Sequence, residues 1–268
     1  MTTRRDVEQL RSATGRLVDL IRADLARLFR SLDLGRPEVA RDELLEAVPA
    51  LVREYGEMAA VVAAEWYEEI RAAQIGGAYV ARLGTILPEA APITSVRYAA
   101  GHLFDRVLET VDGVGNLVTL KKPADHAKAL AVLSGSLQRH VLYSSRDTVA
   151  RNVRLDPARP RFGRIPSGAK TCAWCEIMSS RGFVYYTEAS AGDSDGTGFG
   201  DDFHDSCDCQ VVAEFDRERH HIEGYDPDAM YDRYLAARKE SGSGDVNEIA
   251  AALRRLYPDH YTDGVHEH

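Results

Sequence analysis

Cys172-Ala-Trp-Cys175 and His204-Asp-Ser-Cys207-Asp-Cys209 together hold all four cysteines of the 268-residue chain. A Cys-x-x-Cys pair on a tight turn directs two thiolates to one point. A second pair from a distant strand or loop completes a tetrahedron, with Zn–S distances of about 2.3 Å. That second pair is either His204-x-x-Cys207 or Cys207-x-Cys209. Cys172, Cys175 and Cys207 take the first three positions, since Cys207 belongs to both pairs, and His204 and Cys209 compete for the fourth. If His204 binds, Asp202 and Asp205 are the nearest partners for its other ring nitrogen. Five candidate ligands for four positions describe a closed structural zinc site, not a catalytic one with an open position.

Two other uses of the thiols stand beside the metal. Disulfides need an oxidising compartment. Met-Thr-Thr-Arg-Arg-Asp at the start of the chain has no hydrophobic segment behind its charges, so a secretory signal is not expected. Buried, inert thiols are the second alternative. A thioredoxin-like role for Cys172 and Cys175 would need a βαβ context that the flanking sequence lacks.

With 44% hydrophobic residues the chain can build a real core, as one large domain or two small ones. A net charge of −9 opposes non-specific DNA binding, which needs clustered Lys and Arg. Arg151, Arg154, Arg159, Arg161 and Arg164 form a local basic patch, read here as a solubilising linker. No apolar stretch approaches the roughly 18 residues of a membrane span.

From Val7 to Leu32 the residues Leu10, Leu17, Leu20, Ile21, Leu25, Leu28 and Phe29 recur at threes and fours, which predicts an amphipathic helix ended by Gly35 and Pro37. A second helical run passes through Leu44, Val52, Tyr55, Val62, Trp66 and Ile70, with a break or kink expected near Pro49. Ser95 is expected to cap a third helix through Tyr98, Leu103, Val107 and Val111, and Pro123 to Val153 reads as a fourth. Past Asp156-Pro-Ala-Arg-Pro160 the texture changes. Arg161–Ile165, Gly182–Tyr186 and Gln210–Phe215 are short runs rich in β-branched and aromatic residues, read as strands. Between the half-sites, residues 191–202 form a glycine-rich acidic loop that fits neither a calcium loop nor a phosphate loop. Tyr225-Asp-Pro-Asp228 caps a short helix. Ser241-Gly-Ser-Gly244 is a flexible linker, and Asp245 caps a helix through Ile249, Leu253 and Leu256 that docks on this chain or on a partner. Residues 259–268 read as disordered.

The expected fold class is α+β. A large all-helical N-terminal region (1–155) precedes a small zinc-stapled α+β domain (156–218) and a charged helical C-terminal tail (219–268).

Cys-x-x-Cys, a hydrophobic strand opened by glycine, and His-x-x-Cys-x-Cys before a Val-rich strand resemble the C-terminal domain of phage head morphogenesis proteins, the Mu F-like minor capsid family. Members often read His-Pro-x-Cys-Arg-Cys where this chain has His204-Asp205-Ser206-Cys207-Asp208-Cys209, so the ligand atoms are kept and the proline and arginine are not. The resemblance is strongest from Arg164 to Phe215. It extends more loosely to the Ala-rich helices and the tail, in the manner of phages and prophages of actinobacteria. It implies a minor head component that associates with the phage portal protein and with capsid or scaffold proteins. It also implies a location in the capsid interior of the virion, reached from the host cytoplasm during assembly.

The expected function is therefore structural, with Zn2+ as a structural cofactor, no catalytic residues and no membrane or sequence-specific nucleic-acid partner. Two alternatives come from other classes. One is a capsid maturation protease, for which His102, His126, His140 and several serines are available but no His-Glu-x-x-His is present. The other is a zinc-bearing nucleic-acid-binding or ejected effector protein. Against it, Asp193, Asp195, Asp201, Asp202, Asp205 and Asp208 crowd the cysteines and would repel phosphate.

Overall fold

The computed structural model describes residues 1–111, 117–168, 170–184, 205, 207, 209–216, 218 and 221–263. Among these the fold is α+β, with seven α-helices and two small antiparallel sheets. Helix α1 (Arg4–Ser31) starts in a capping box between Thr3 and Asp6, and its apolar stripe Val7, Leu10, Val18, Ile21, Leu25 and Phe29 is buried. Helix α2 (Pro37–Ile75) and helix α4 (His126–Leu155) pack against it and against each other, and α3 (Ala90–Ala100) packs on both of these.

Three local expectations are corrected. Helix α2 runs through Pro49 without a break. The proline forfeits one backbone hydrogen bond, and burial of Val48, Pro49 and Val52 in the core around it offsets that loss. Ser95 lies inside α3, whose N-cap is Glu89; its hydroxyl meets His140 across the α3–α4 interface instead. Residues expected to be helical around Val107 and Val111 form β1 (Arg106–Val111), paired with β2 (Leu117–Lys122) in register Val107↔Lys121. Three of the five residues in Val107-Leu-Glu-Thr-Val111 are β-branched, a stronger local signal than its fit to a helical stripe. The N-terminal region is thus helical except for this hairpin, whose Val107, Leu117 and Leu120 are exposed.

Strand β3 (Arg161–Ile165) pairs with β4 (Gln210–Glu214), Arg161 opposite Glu214 and Ile165 opposite Gln210. Every residue of β4 is buried, because α1 and α4 contact it. A strand covered on both sides shows no polar alternation. Gly163 of β3 is needed for contact: a Cβ there would come within 3.1 Å of the Phe183 ring and 3.2 Å of the Gly182 carbonyl. The Arg161–Ile165 run forms β3 as expected, but Arg164, counted in a solubilising basic patch, is fully buried. Of the run 182–186, residues 182–184 form no strand and 185–186 lie outside the described residues.

One core joins α1, α2 and α4 to β3, β4 and the cysteines, through Val7, Leu10, Trp66, Tyr67, Val149, Phe162 and Val211 among others. A second holds the other end of the helices together, with Ile21, Leu25, Leu44, Val52, Leu133 and Leu137. The chain also closes on itself. The Thr2 backbone N–H donates to Glu214 Oε2 at 2.8 Å and its hydroxyl to the Ala213 carbonyl at 2.7 Å. Between α2 and α3 an extended segment is pinned to α4. Asn152 accepts from the Arg82 N–H and donates to the Arg82 carbonyl, both at 2.8 Å, and Thr85 N–H donates to Asp147.

Helix α5 (Ala173–Ser179) carries the first cysteine pair; α6 (Pro227–Ser241) and α7 (Val246–Leu256) pack on it. Gly242 closes α6 in the left-handed conformation, and Asp245 caps α7 by accepting from Asn247 and Glu248 N–H. Helix α7 docks on its own chain, burying Ile249, Ala250, Ala252 and Leu253 against Ala173, Ile177 and Met178. The residues after it are ordered as far as Asp263: Thr262 N–H donates to the Thr171 carbonyl at 2.9 Å, and Tyr261 is buried. Residues 264–268 lie outside the described residues.

Candidate metal centre

Cys172 is the N-cap of α5, its Sγ accepting the Cys175 N–H at 3.2 Å. This is the N–H···S turn by which a Cys-x-x-Cys stabilises thiolate and aims both sulfurs one way. Cys207 and Cys209 enter from the other side, just before β4, spaced so that both thiols can face α5. The Sγ atoms of Cys175, Cys207 and Cys209 lie within 4.8 Å of one another, with Cys175 and Cys207 at 3.3 Å. Cys172 adjoins this trio through Cys175. The four are free thiols, 7, 1, 2 and 0% exposed in sequence order. Buried sulfurs so grouped, on two separate pieces of chain, form a possible metal site. His204 lies outside the described residues, as do Asp193, Asp195, Asp201, Asp202 and Asp208. Asp205 is exposed and engaged elsewhere, accepting from Ser136 Oγ and pairing with Arg139, each at 2.9 Å.

The electrostatics favour thiolate at Cys207 and the protonated form at Cys175 and Cys209. Hydrogen bonds from Cys175 and then Cys209 hold Cys207 well below the ordinary cysteine range, and the guanidiniums of Arg146 and Arg164 add to this against the effect of burial. The hydrogen bond to Cys172, then that to Cys207, pushes Cys175 up, so the cluster shares its remaining protons. A metal would displace them.

Sequence reasoning missed the residues that frame the thiols. Arg146 on α4 is buried; its Nε donates to the Cys209 carbonyl at 3.1 Å and its Nη2 to the carbonyls of Cys207 and Cys209 at 3.2 and 2.9 Å. Gln138 donates from Nε2 to the Cys207 carbonyl at 3.1 Å. Arg164 stacks over Trp174, the residue inside the Cys-x-x-Cys, at 4.8 Å from the ring centre. Glu176, buried beside Cys175, accepts from Arg233 Nε at 2.6 Å and Tyr261 Oη at 3.0 Å, which ties α5 to α6 and to the residues after α7. A buried arginine in a helix of ordinary composition has one sequence signal only: Arg146 falls on the apolar face of α4, between Leu142 and Val149.

Ser95 Oγ and His140 Nε2 lie 2.9 Å apart, the separation of a nucleophile and its base. Both are buried between helices, and His140 Nδ1 has no partner among the described residues, so nothing described orients the imidazole. Burial pushes the His140 pKa down to about 3, which removes it as a base matched to neutral pH. The unfolded chain takes up this proton near pH 6.5 and the folded one only near pH 3. Stability therefore falls as pH drops through that window, by about 1.4 kcal/mol per unit from this group. In urea titrations at pH 6.5 and 5, His140→Gln should show a shallower loss than the parent; equal slopes would refute the assignment. His221, Asp226 and Asp228 also gather, but in the open at the start of α6, where Asp226 caps the helix.

A protein-family model described as VG15 protein matches residues 1–237. The match takes in all four cysteines and Arg146 and ends inside α6. No curated protein and no solved structure matches the chain.

Proposed function

From the premise that the chain belongs to the VG15 protein family, a family of phage gene products, we propose that it is a minor head-morphogenesis protein with a structural zinc site. It joins the portal and the capsid or scaffold proteins in the host cytoplasm and stays in the capsid interior. The observation that carries this reading is the burial of the thiol cluster in the core shared by α1, α2, α4 and the β3–β4 sheet. A metal there cross-links two distant parts of the chain and offers no open face to a substrate, as a scaffold requires and an enzyme does not.

The donor set fits zinc. Four thiolates around one Zn2+ leave two negative charges, and Arg146 and Arg164, the cations acting on these sulfurs, supply two positive ones. Cys172, Cys175, Cys207 and Cys209 are taken as the ligands and His204 as the spare. Cys209→Ser should therefore lower zinc content while His204→Ala leaves about one zinc per chain, by elemental analysis of the purified protein. The opposite pattern would give His204 the fourth place.

The role itself is tested by a tagged pull-down from cells expressing the neighbouring head genes, with mass spectrometry and elemental analysis of the same sample. Portal or capsid protein together with zinc supports the proposal. A chain that trims scaffold, or one that captures no head protein, ends it. Gly192-Asp193-Ser194-Asp195-Gly196 has the spacing of a nucleophile elbow and lies outside the described residues. Its immediate flanks, Glu188-Ala-Ser-Ala191 and Thr197-Gly-Phe-Gly200, carry no run of β-branched apolar residues of the kind that leads into such an elbow.

A further inference from the structure

Between α1, α4 and the first residue of β4 lies a cleft of about 180 Å³. Its cations are Arg11 and Arg22, both on α1. Arg22 Nη2 donates to Gln138 Oε1 at 2.5 Å, and the same Gln138 donates to the Cys207 carbonyl, so the arginine is braced against the thiol site. Arg22 Nε is buried and has no partner among the described residues. Arg11 touches Glu8 through Nη1 at 3.4 Å, which leaves most of its fork uncommitted in that contact. A buried N–H donor without an acceptor is costly and calls for one.

Gly15 lines the same cleft in the middle of α1, and a Cβ built on it would meet nothing within 4 Å. The chain's own packing therefore gives no reason for glycine there, although glycine weakens a helix relative to alanine. What the missing side chain leaves open is the cleft.

We propose that this cleft binds a carboxylate side chain of a partner protein, presented on an acidic peptide segment. The inference deepens the head-assembly reading and rests on it for the identity of the partner. The Arg22 fork matches a planar carboxylate in geometry as well as charge, and Arg11, three turns away on α1, adds a second positive charge to the cleft lining. Nucleic acid is the poorer fit: a phosphate backbone selects clustered cations along an open surface, whereas this cleft holds about 180 Å³ and carries Asp19 beside its two arginines, room for a single anionic group.

The test follows the Arg22 Nε–H resonance of the full chain by NMR during titration with N-acetyl-glutamate N-methylamide, inorganic phosphate and a short DNA duplex. The glutamate probe should shift the resonance, and Arg22→Lys should weaken its binding about tenfold. Gly15→Ala should raise Tm by about 2–4 °C while weakening the same binding, opposite signs that a purely structural glycine would not produce. No shift with the glutamate probe, tighter binding of phosphate or DNA, or unchanged affinity in Gly15→Ala overturns the proposal. Pull-down separates it from the broader reading. If Arg22→Lys still captures the head protein that the parent captures, the cleft is not the contact and the head role stands. If the parent captures none but binds the probe, the carboxylate site stands and the head role falls.

Discussion

With zinc at the proposed site, Cys175→Ser is expected to release it and to unfold one end of the molecule while the other end stays helical. Cys175 is the thiol that joins Cys172 to Cys207 and Cys209, so its loss breaks the cluster at its centre. Structural zinc contributes about 10–16 kcal/mol to small zinc-bound folds, as much as the whole stability of an ordinary domain. The core around the cysteines includes Val7 and Leu10 of α1, Trp66 and Ile70 of α2 and Val149 and Val153 of α4, and these helix ends should melt with it. The second core contains no cysteine and nothing beyond Leu142, so it should persist. Ellipticity at 222 nm is expected to fall in part, with zinc lost, and a chelator acting on the parent should give the same spectrum. An unchanged melting curve with unchanged metal content would sink both the ligand assignment and the shared core.

Arg146→Met should cost about 3–5 kcal/mol with metal bound, the range for removing one member of a buried charge pair. The change strips a fork from the carbonyls of Cys207 and Cys209 and leaves the thiolates without one of their two buried cations. Arg146→Lys should not restore the loss, since a single ammonium cannot reproduce the divided contact to both carbonyls. After chelation the penalty should shrink: Cys207, held below the ordinary cysteine range, keeps a thiolate facing the guanidinium, while Cys175, pushed up, takes a proton. Urea titration of both proteins with and without chelator gives the four values. A penalty that does not depend on metal would show that Arg146 serves packing alone.

The long helices were legible because their stripes are long. Seven apolar residues at threes and fours in α1 leave one reading, and the Asp125, Asp226 and Asp245 caps mark their helices by residue type. The hairpin was not, because Tyr98, Leu103, Val107 and Val111 happen to sit at near-helical spacing while β pairing depends on a separate partner strand, Leu117–Lys122. Pro49 misled for a different reason: local cost was weighed without the tertiary burial that outweighs it. At the candidate metal centre, spacing pointed to a meeting of the two cysteine segments but left His204 and Cys209 competing for the last position. The frame was hidden, since Arg146 and Gln138 lie far from the cysteines in sequence and only the packing of α4 against β4 brings them beneath the carbonyls. The last described residues, expected to be loose, are held by Tyr261 and Asp263, whose partners Glu176 and Ala173 N–H no short-range pattern reveals.

The hydrogen bonds from Thr2 to residues 213 and 214 join points 211 and 212 residues apart. During synthesis α1 emerges first, yet Thr2 has no Glu214 to meet and Leu10 no completed sheet to cover until most of the chain has left the ribosome. Elements α1, α2 and α4 can collapse early on their cysteine-free core, while the clasp and the thiol cluster form late and together. Such contact order slows the final step. It makes the emergence of β4 the event that times when the two ends of the fold can close on each other.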